Sequence, residues 1–388
     1  MLNKMSKKLA IAGLGVLSLA SVAQADNMGV PLHGFADVGI GYAGENMQKR
    51  LFDQGFFVSN LDLFLNPDLG NVKMLAEIII DASEGAVVVD TERLQIGYVL
   101  NNNLTVHAGR FHTPIGIWNT SYHHGAQIQT SVYKPRFIDF EDKVGVIPTH
   151  TVGLLLTGAT PVGSDKIGYD LTVANGSKIM LAAGDALGTE ETWTTGDMQM
   201  GGDMDSGVAL GGRLYYSFGS GSLDGLTLGV HGLNEEVRTD AALQGLGLDH
   251  RTMMTMLGGY LSYENNGFEF LNEYYHFSNK DLYNPDLEKV SSWAAYSQLG
   301  YYINDSWIPY VRYERAIFDQ NDEYFADQTF GQSYSRVAAG LRYNITDKAC
   351  IKIEGNETDV ANTATGGVRD QMDGGKWKEI RAQWAVRF

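Results

Sequence analysis

From residue 32 to the last residue, apolar and polar side chains alternate with period two in run after run, and each run stops at turn residues. A chain of this kind sets one face of every strand against an apolar medium and the other against a polar one. The first strand (32–42) puts Leu32, Ala36, Val38, Ile40 and Tyr42 on one side and His33, Asp37, Gly39 and Gly41 on the other. The second (56–66) alternates Leu61, Leu63 and Leu65 with Asn60 and Asp62, and Pro67-Asp-Leu-Gly70 then turns the chain. Met74, Ile78 and Ile80 oppose Lys73, Glu77 and Asp81 in the third; Leu94, Ile96 and Tyr98 oppose Arg93 and Gln95 in the fourth. A fifth runs over 104–111. Further strands fall near 150–161, 166–176, 207–219, 225–236, 252–263, 267–278, 290–303, 307–317, 333–345, 349–358 and 378–388. The total is about 16, an even number with short turns alternating with long loops. Long loops are expected at 112–149, 177–206, 237–251, 279–289, 318–332 and 359–377.

The fold class that follows is all-β: a transmembrane antiparallel barrel. After residue 25 no apolar run reaches the roughly 18 residues of a spanning helix. Outward-phase aromatics gather beside the short turns: Tyr98, Tyr216, Phe218, Tyr263, Phe268, Tyr301, Trp307, Tyr343 and Phe388. Tyr42, Tyr274, Trp293 and Trp377 sit near long loops, so two interfacial girdles are expected. With 46 glycines and 8 prolines in 388 residues, the chain exceeds the usual ~7% glycine and falls below ~5% proline, which suits uninterrupted ladders.

Both ends carry their own signals. Lys4, Lys7 and Lys8 precede an apolar stretch from Leu9 to Ala20, and Ala23-Gln-Ala25 has the form of a secretory cleavage site. Residues 1–25 are therefore expected to be a signal peptide and 26–388 the barrel. At the other end Ile380, Ala382, Trp384, Val386 and Phe388 alternate with Arg381, Gln383 and Arg387 to the last residue. That ending resembles the terminal signature by which outer-membrane barrels are recognised for assembly.

Charge and motifs exclude several functions. The formal charge of −17, which becomes −20 once the three signal lysines are lost, argues against nucleic acid. Cys350 stands alone, so no internal disulfide forms. Gly39-Ile-Gly41-Tyr-Ala-Gly44 has the dinucleotide-loop spacing, but another strand follows it instead of the helix whose amino terminus would hold a pyrophosphate. The acidic stretch Asp197 to Asp205 lacks calcium-loop spacing. His107, His231 and His276 sit singly in strands, and no cofactor is expected.

The longest interruption, roughly 38 residues from His112 to Thr149, needs a task. It begins within Gly109-Arg-Phe-His-Thr-Pro-Ile-Gly116, which looks like the G-x-F-x-x-P-x-G signature of phosphate-selective-type porins and their relatives. The barrel pattern over the whole mature length resembles that of Gram-negative outer-membrane porins. The resemblance implies that this third external loop folds into the lumen and narrows it. The constriction would then be built from His112, Trp118, His123, His124, Lys134, Arg136, Asp139, Glu141 and Asp142. The pore wall would carry Asp37, Asp62, Glu77, Asp81, Arg93, Arg213, Arg312, Glu314, Arg336, Arg342, Lys352, Arg381 and Arg387. Bases crowd into the last four strands and acids into the first three, and two readings are open: a field across the lumen, or local salt bridging that satisfies buried charges. The near balance of the two signs departs from a phosphate-selective pore, which needs surplus Arg and Lys.

Four of the nine histidines, His112, His123, His124 and His150, fall in or at the end of the long loop. Two readings stay open: they add positive charge there on acidification, or a histidine pair packs the loop against the wall and stays neutral. Neighbouring His123 and His124 point apart in an extended chain and no ligand spacing is evident, so a metal is not expected. The function expected is passive diffusion of small hydrophilic solutes and ions. A substrate-specific anion or organic-acid channel is the alternative; a barrel lipase or protease and a sheath for an electron-carrying partner are further ones. Expected partners are outer-membrane lipid and lipopolysaccharide, the solutes, and, for a homotrimer, two further copies of the chain. Epitope tags inserted at Gly201 and Gly245 should be labelled on intact cells, and tags at Asn102 and Asn265 should not; labelling at Asn102 would reverse this orientation.

Overall fold

The computed structural model describes residues 32–44, 55–81, 87–123, 125–139, 144–183, 194–200, 207–245, 247–365, 368–371 and 374–388. The expected signal peptide, His124, Glu141, Asp142 and the tag site Gly201 lie outside the described residues. Strands β1 (Leu32–Ala43), β2 (Gly55–Leu65), β3 (Val72–Asp81), β4 (Val88–Asn101), β5 (Leu104–His112), β6 (His150–Val162) and β7 (Asp165–Asn175) form the first part of the wall. A hairpin, β8 (Ser177–Ala183) and β9 (Thr194–Met200), follows. The wall resumes with β10 (Val208–Ser217), β11 (Leu226–Thr239), β12 (Arg251–Asn265), β13 (Phe268–Asp281), β14 (Val290–Tyr301), β15 (Trp307–Ile317), β16 (Tyr334–Thr346), β17 (Ala349–Val360) and β18 (Gly375–Arg387).

Each wall strand pairs antiparallel with its neighbours. β7 passes directly to β10, and β1 pairs with β18 from Phe35↔Arg387 to Ala43↔Glu379. The result is a closed 16-stranded barrel with no free edge. The β8–β9 hairpin stands outside that ring, touching β11 through the parallel pairs Arg238↔Lys178 and Thr239↔Ile179. The long loop expected over 177–206 thus contains a strand pair of its own. The apolar run Ile179-Met-Leu-Ala-Ala183 finds a strand partner that lies in the same long connection.

The direction of burial settles what surrounds the ring. Ile351 and Ile353 are exposed, the latter by 45%, whereas Lys352 and Glu354 between and beside them are fully buried. Val311 and Tyr313 are exposed where Arg312 and Glu314 are buried. A water-soluble sandwich would have the reverse, because leaving isoleucine in water and burying lysine both cost free energy. An apolar rind with charge inside is the membrane arrangement. The aromatic pairs beside the short turns fit it: Trp307 packs on Tyr343 with ring centroids 4.4 Å apart, Phe268 on Tyr301 at 5.0 Å and Tyr216 on Phe218 at 4.8 Å. On the long-loop side Tyr274 stacks on Trp293 at 6.3 Å. Trp377 does not join that girdle. It shares the inward phase of Glu379 and Gln383, is buried, and lies under the Arg136 guanidinium.

Turn chemistry places the hairpins. Between β12 and β13, Asn266 and Gly267 both adopt positive φ, 52° and 81°, the pair of left-handed residues that matches the twist of a two-residue hairpin. Among the described residues the ladder register shifts at four places; two of them, Val99/Asn101 and Asn344/Thr346, lie beside turns, and the other two break strict alternation within the wall. The β1–β2 register shifts between Ala36 and Val38, so Phe56 and Val58 face outward although Leu61 and Leu63 keep the opposite parity. The β3–β4 register shifts between Glu77 and Ile78, opposite Glu92. A bulge inserts one unpaired residue and re-aims the side chains around it.

At the long-loop end, the connections are tied to one another. His250, just before β12, makes a 2.6 Å contact from Nδ1 to Asp327 Oδ2 in the β15–β16 connection, and its Nε2 lies 3.5 Å from Glu323. The hydrogen bond to Asp327 holds the imidazole above its ordinary value, and burial lifts the Asp327 carboxyl as well. Both groups thus bind protons more tightly folded than unfolded. The contact contributes fully below the ordinary histidine value of about 6.5 and is lost as pH rises through the raised one. Amide protection around residues 241–250 should fall across that upper window, and His250→Gln should flatten the dependence in hydrogen-exchange measurements. A wild-type profile that does not change with pH would contradict this assignment.

Placing Arg on the outer face tests the phase directly. Val311→Arg should lower folded stability by about 2–4 kcal/mol, the cost of a midplane arginine on a barrel exterior, whereas Val311→Leu should be nearly neutral. Urea refolding into lipid vesicles reads the difference.

Candidate functional site

The connection between β5 and β6 is the largest structure that the strands themselves do not explain. Its residues are buried: Ile115, Phe137, Ile138 and Ile147 are 0% exposed and Trp118 is 1% exposed. They pack with Tyr275, Phe277 and Tyr296 of the wall and with Tyr324 and Phe325 of the β15–β16 connection as one apolar cluster. Several backbone amides of the connection are satisfied by wall side chains. Glu273 on β13 accepts hydrogen bonds from the Ile117 and Trp118 amides at 3.1 and 2.7 Å, and from the Tyr275 and Tyr296 hydroxyls, each at 2.7 Å. Glu354 on β17 accepts from the Val132 and Tyr133 amides at 2.8 and 3.1 Å, and Glu314 on β15 accepts from the Arg136 amide at 2.7 Å. The Gly116 amide donates to His231 Nδ1 at 2.8 Å. Gly116 has φ +58° and its Cα hydrogen faces Glu273 and the Tyr275 hydroxyl, where a Cβ would have no room. A one-turn helix, Trp118–Ser121, follows, and its first amide is the one held by Glu273.

Basic side chains complete the set from the other direction. Arg312 donates to the Tyr133 and Lys134 carbonyls at 2.9 and 3.2 Å and is paired with Glu314 at 2.8 Å and Glu354 at 3.5 Å. Arg342 donates to the Gln129 carbonyl at 2.7 Å, and Lys352 Nζ to the Ala126 and Ser131 carbonyls at 2.6 and 2.7 Å. Arg336 pairs with Glu379 at 3.4 Å and lies over Tyr133. Arg381 stacks on Phe57 and Tyr133. Buried bases survive here because carbonyl oxygens and carboxylates replace the water they lose.

The arc of positive charge is compensated locally. Arg312, Arg336, Arg342 and Lys352 are spent on the connection and on glutamates, and all four are buried. Arg387 departs further: it is exposed at the turn end, 4.0 Å from Asp347. On the early strands Asp37 accepts from Gln383 at 2.7 Å, Asp62 is buried, Glu77 pairs with Arg93, and Asp81 is half-buried. Arg213 pairs with Asp170 at 2.6 Å and donates to the Gly116 carbonyl at 3.2 Å.

Of the residues expected at the constriction, Trp118 is buried edge-on to Tyr296, and Arg136 is buried among Phe330, Tyr334 and Trp377 at 5.5, 5.2 and 5.0 Å. Lys134 Nζ lies 3.9 Å from Asp139, which is half-buried. His112 and His123 come together with His150 and with Glu92, a residue that alternation alone assigns to the lipid face beside Arg93. The bulge opposite Glu77 is the reason Glu92 escaped the sequence pattern.

A closed antiparallel ring of sixteen strands, apolar outside and charged within, defines the fold class as that of membrane-spanning β-barrels. No family model matches the chain, and no curated protein matches it by sequence. Among solved structures it is similar to an anion-selective porin from Comamonas acidovorans, with TM-score 0.57 and 14% identity over 92% of this chain and 99% of that one. It is similar also to the outer membrane channel DcaP of Acinetobacter baumannii (0.56, 12%, over 92% and 97%) and to Salmonella typhi OmpF in complex with daunomycin (0.54, 12%, over 92% and 97%). The shared feature is the barrel fold.

Removing the Glu273 carboxylate would leave two amides and two hydroxyls without their acceptor. Glu273→Ala should weaken the hold on residues 116–121 by about 1.5–3 kcal/mol, the range for hydrogen bonds to a charged group. Exchange of the Ile117 and Trp118 amides should speed up by about tenfold or more, read by hydrogen-exchange mass spectrometry in detergent.

Proposed function

We propose that the chain is an outer-membrane porin: a water-filled channel for passive diffusion of small hydrophilic solutes and ions, exported with removal of residues 1–25. The observation that carries this reading is the inverted burial of the ring, apolar outside and charged inside, around a connection whose backbone is bonded to inward side chains of β11, β13, β15, β16 and β17. In this reading residues 113–149 are the third external loop, folded into the lumen as its constriction. The tethered half rests on the later strands, and solutes pass the earlier ones. The groups meeting them are those left partly open: Arg93 and Arg110, with side chains 21% and 24% exposed, together with Asp81 and Asp139. Trp118, His123 and Arg136 act as the packing beneath that surface, with Lys134 at its edge and His112 at the loop's root as the last residue of β5. Assembly as a homotrimer is part of the proposal; an OmpT of Vibrio cholerae similar in fold is described in a trimer form.

Anion selectivity is the second reading, favoured by the partly open Arg93 and Arg110. Purified protein in a planar bilayer should give discrete ohmic steps, and shortening the loop across residues 120–136 should raise their size. Folded protein that gives no steps would overturn the channel reading. A reversal potential near zero in a potassium chloride gradient fits general diffusion; displacement toward the chloride potential favours the anion channel.

A further inference from the structure

At the two roots of the long connection, four metal-binding side chains meet. His112 ends β5 and His150 begins β6, and the two are directly opposite in the ladder. His123 comes from the connection and Glu92 from the β4 bulge. One ligand atom from each of the four lies within 4.8 Å of all the others. The imidazole centroids are 4.5 Å (His112–His123), 4.6 Å (His123–His150) and 5.1 Å (His112–His150) apart. Glu92 turns one oxygen to this group and the other away. Oε1 is 2.5 Å from His150 Nε2 and 3.6 Å from His123 Nε2, while Oε2 faces Arg110 at 3.5 Å. The Thr149 hydroxyl lies 3.3 Å from His150 Nδ1, fixing which ring nitrogen points inward. His123, His150 and Glu92 are buried, and His112 is half-buried.

The geometry points to a divalent transition-metal site, His112–His123–His150–Glu92, of the chemistry that suits zinc. A simple loop latch needs one imidazole on one carboxylate, and the His150–Glu92 pair already supplies it. Three imidazoles gathered within about 5 Å of one another could not all carry protons without strong repulsion. Neutral, they form the donor set that borderline metals prefer, and the single carboxylate fills a tetrahedron. Calcium and magnesium, which take oxygen ligands, are not the match. Zinc bonds of about 2.0–2.2 Å set tetrahedral ligand atoms roughly 3.3 Å apart, so binding opens the His150–Glu92 contact slightly and draws the other two rings in. Binding displaces whatever protons the ligands carry. The bound ion would fasten the connection to β4, β5 and β6 at its narrow end, complementing the carboxylate tethers on the far wall.

The test uses the untagged mature protein, refolded in detergent and stripped with chelator. Cobalt(II) should give the visible absorption of a tetrahedral site, saturating at one equivalent per chain, and zinc should abolish it. Glu92→Gln and His123→Ala should each weaken cobalt binding by at least about 100-fold, beyond the 10–100-fold typical of losing an outer-shell partner, and Thr149→Val by about tenfold. His33→Ala, removing an exposed histidine elsewhere, should leave binding unchanged. Heat-modifiable gel mobility confirms that each variant is folded, and His123, outside the wall, carries the test if Glu92→Gln does not fold. A folded wild type without the tetrahedral spectrum, or folded His123→Ala that binds as tightly as wild type, would overturn the site.

Discussion

Closure of the backbone ladder between β1 and β18 is the constraint on which the rest depends. In a lipid interior no water is available to an amide or a carbonyl, so every strand must find two partners. The nine register pairs from Phe35↔Arg387 to Ala43↔Glu379 remove the last open edge. Once the ring is closed, each strand has one face in lipid and one face enclosed, and the period-two pattern follows as a solvent requirement. The exposed Ile351 and Ile353 and the buried Lys352 and Glu354 are two sides of that one condition.

An enclosed face lined with charge is itself costly. The barrel meets the cost by bringing a peptide segment inside reach of those charges. Carboxylates at 269, 273, 314 and 354 accept hydrogen bonds from amides and a hydroxyl of the β5–β6 connection, and Arg312, Arg342 and Lys352 donate to its carbonyls. The same bonds that neutralise the wall hold the connection in one place. Apolar packing of Ile115, Trp118 and Phe137 against Tyr275 and Tyr296 adds a dry layer in which each bond is stronger than in water. The tether is asymmetric, concentrated on the later strands, and that asymmetry leaves the earlier strands as the side on which Arg93 and Arg110 keep partial contact with solvent.

Alternation was a sufficient guide wherever the ladder is regular. From β10 to β18 the one register shift, between Asn344 and Thr346, lies beside a turn, and apart from it these strands carry their lipid-facing and enclosed residues where the period places them, because a one-residue slip would exchange every side chain between media. It failed at the register shifts in β1–β2 and β3–β4, which reset the phase of Phe56 and Val58 and put Glu92 in company with histidines. It failed also for β8 and β9, whose pairing lies within one long connection, and for Trp377, read by its nearness to a loop instead of by its phase.

The sequence alone therefore determined the barrel, its strand number, the alternation of short turns with long loops and the charged character of the enclosed face. Each of these is set by local periodicity and turn chemistry, acting under a solvent boundary common to all strands. Only the tertiary structure decided what the enclosed charges do. Whether Arg312 faces water or the Tyr133 carbonyl, and whether His112, His123 and His150 stand apart or share Glu92, depends on contacts between residues far apart in the chain. No periodicity encodes these contacts, because a connection that carries no ladder is positioned by the side chains it happens to satisfy.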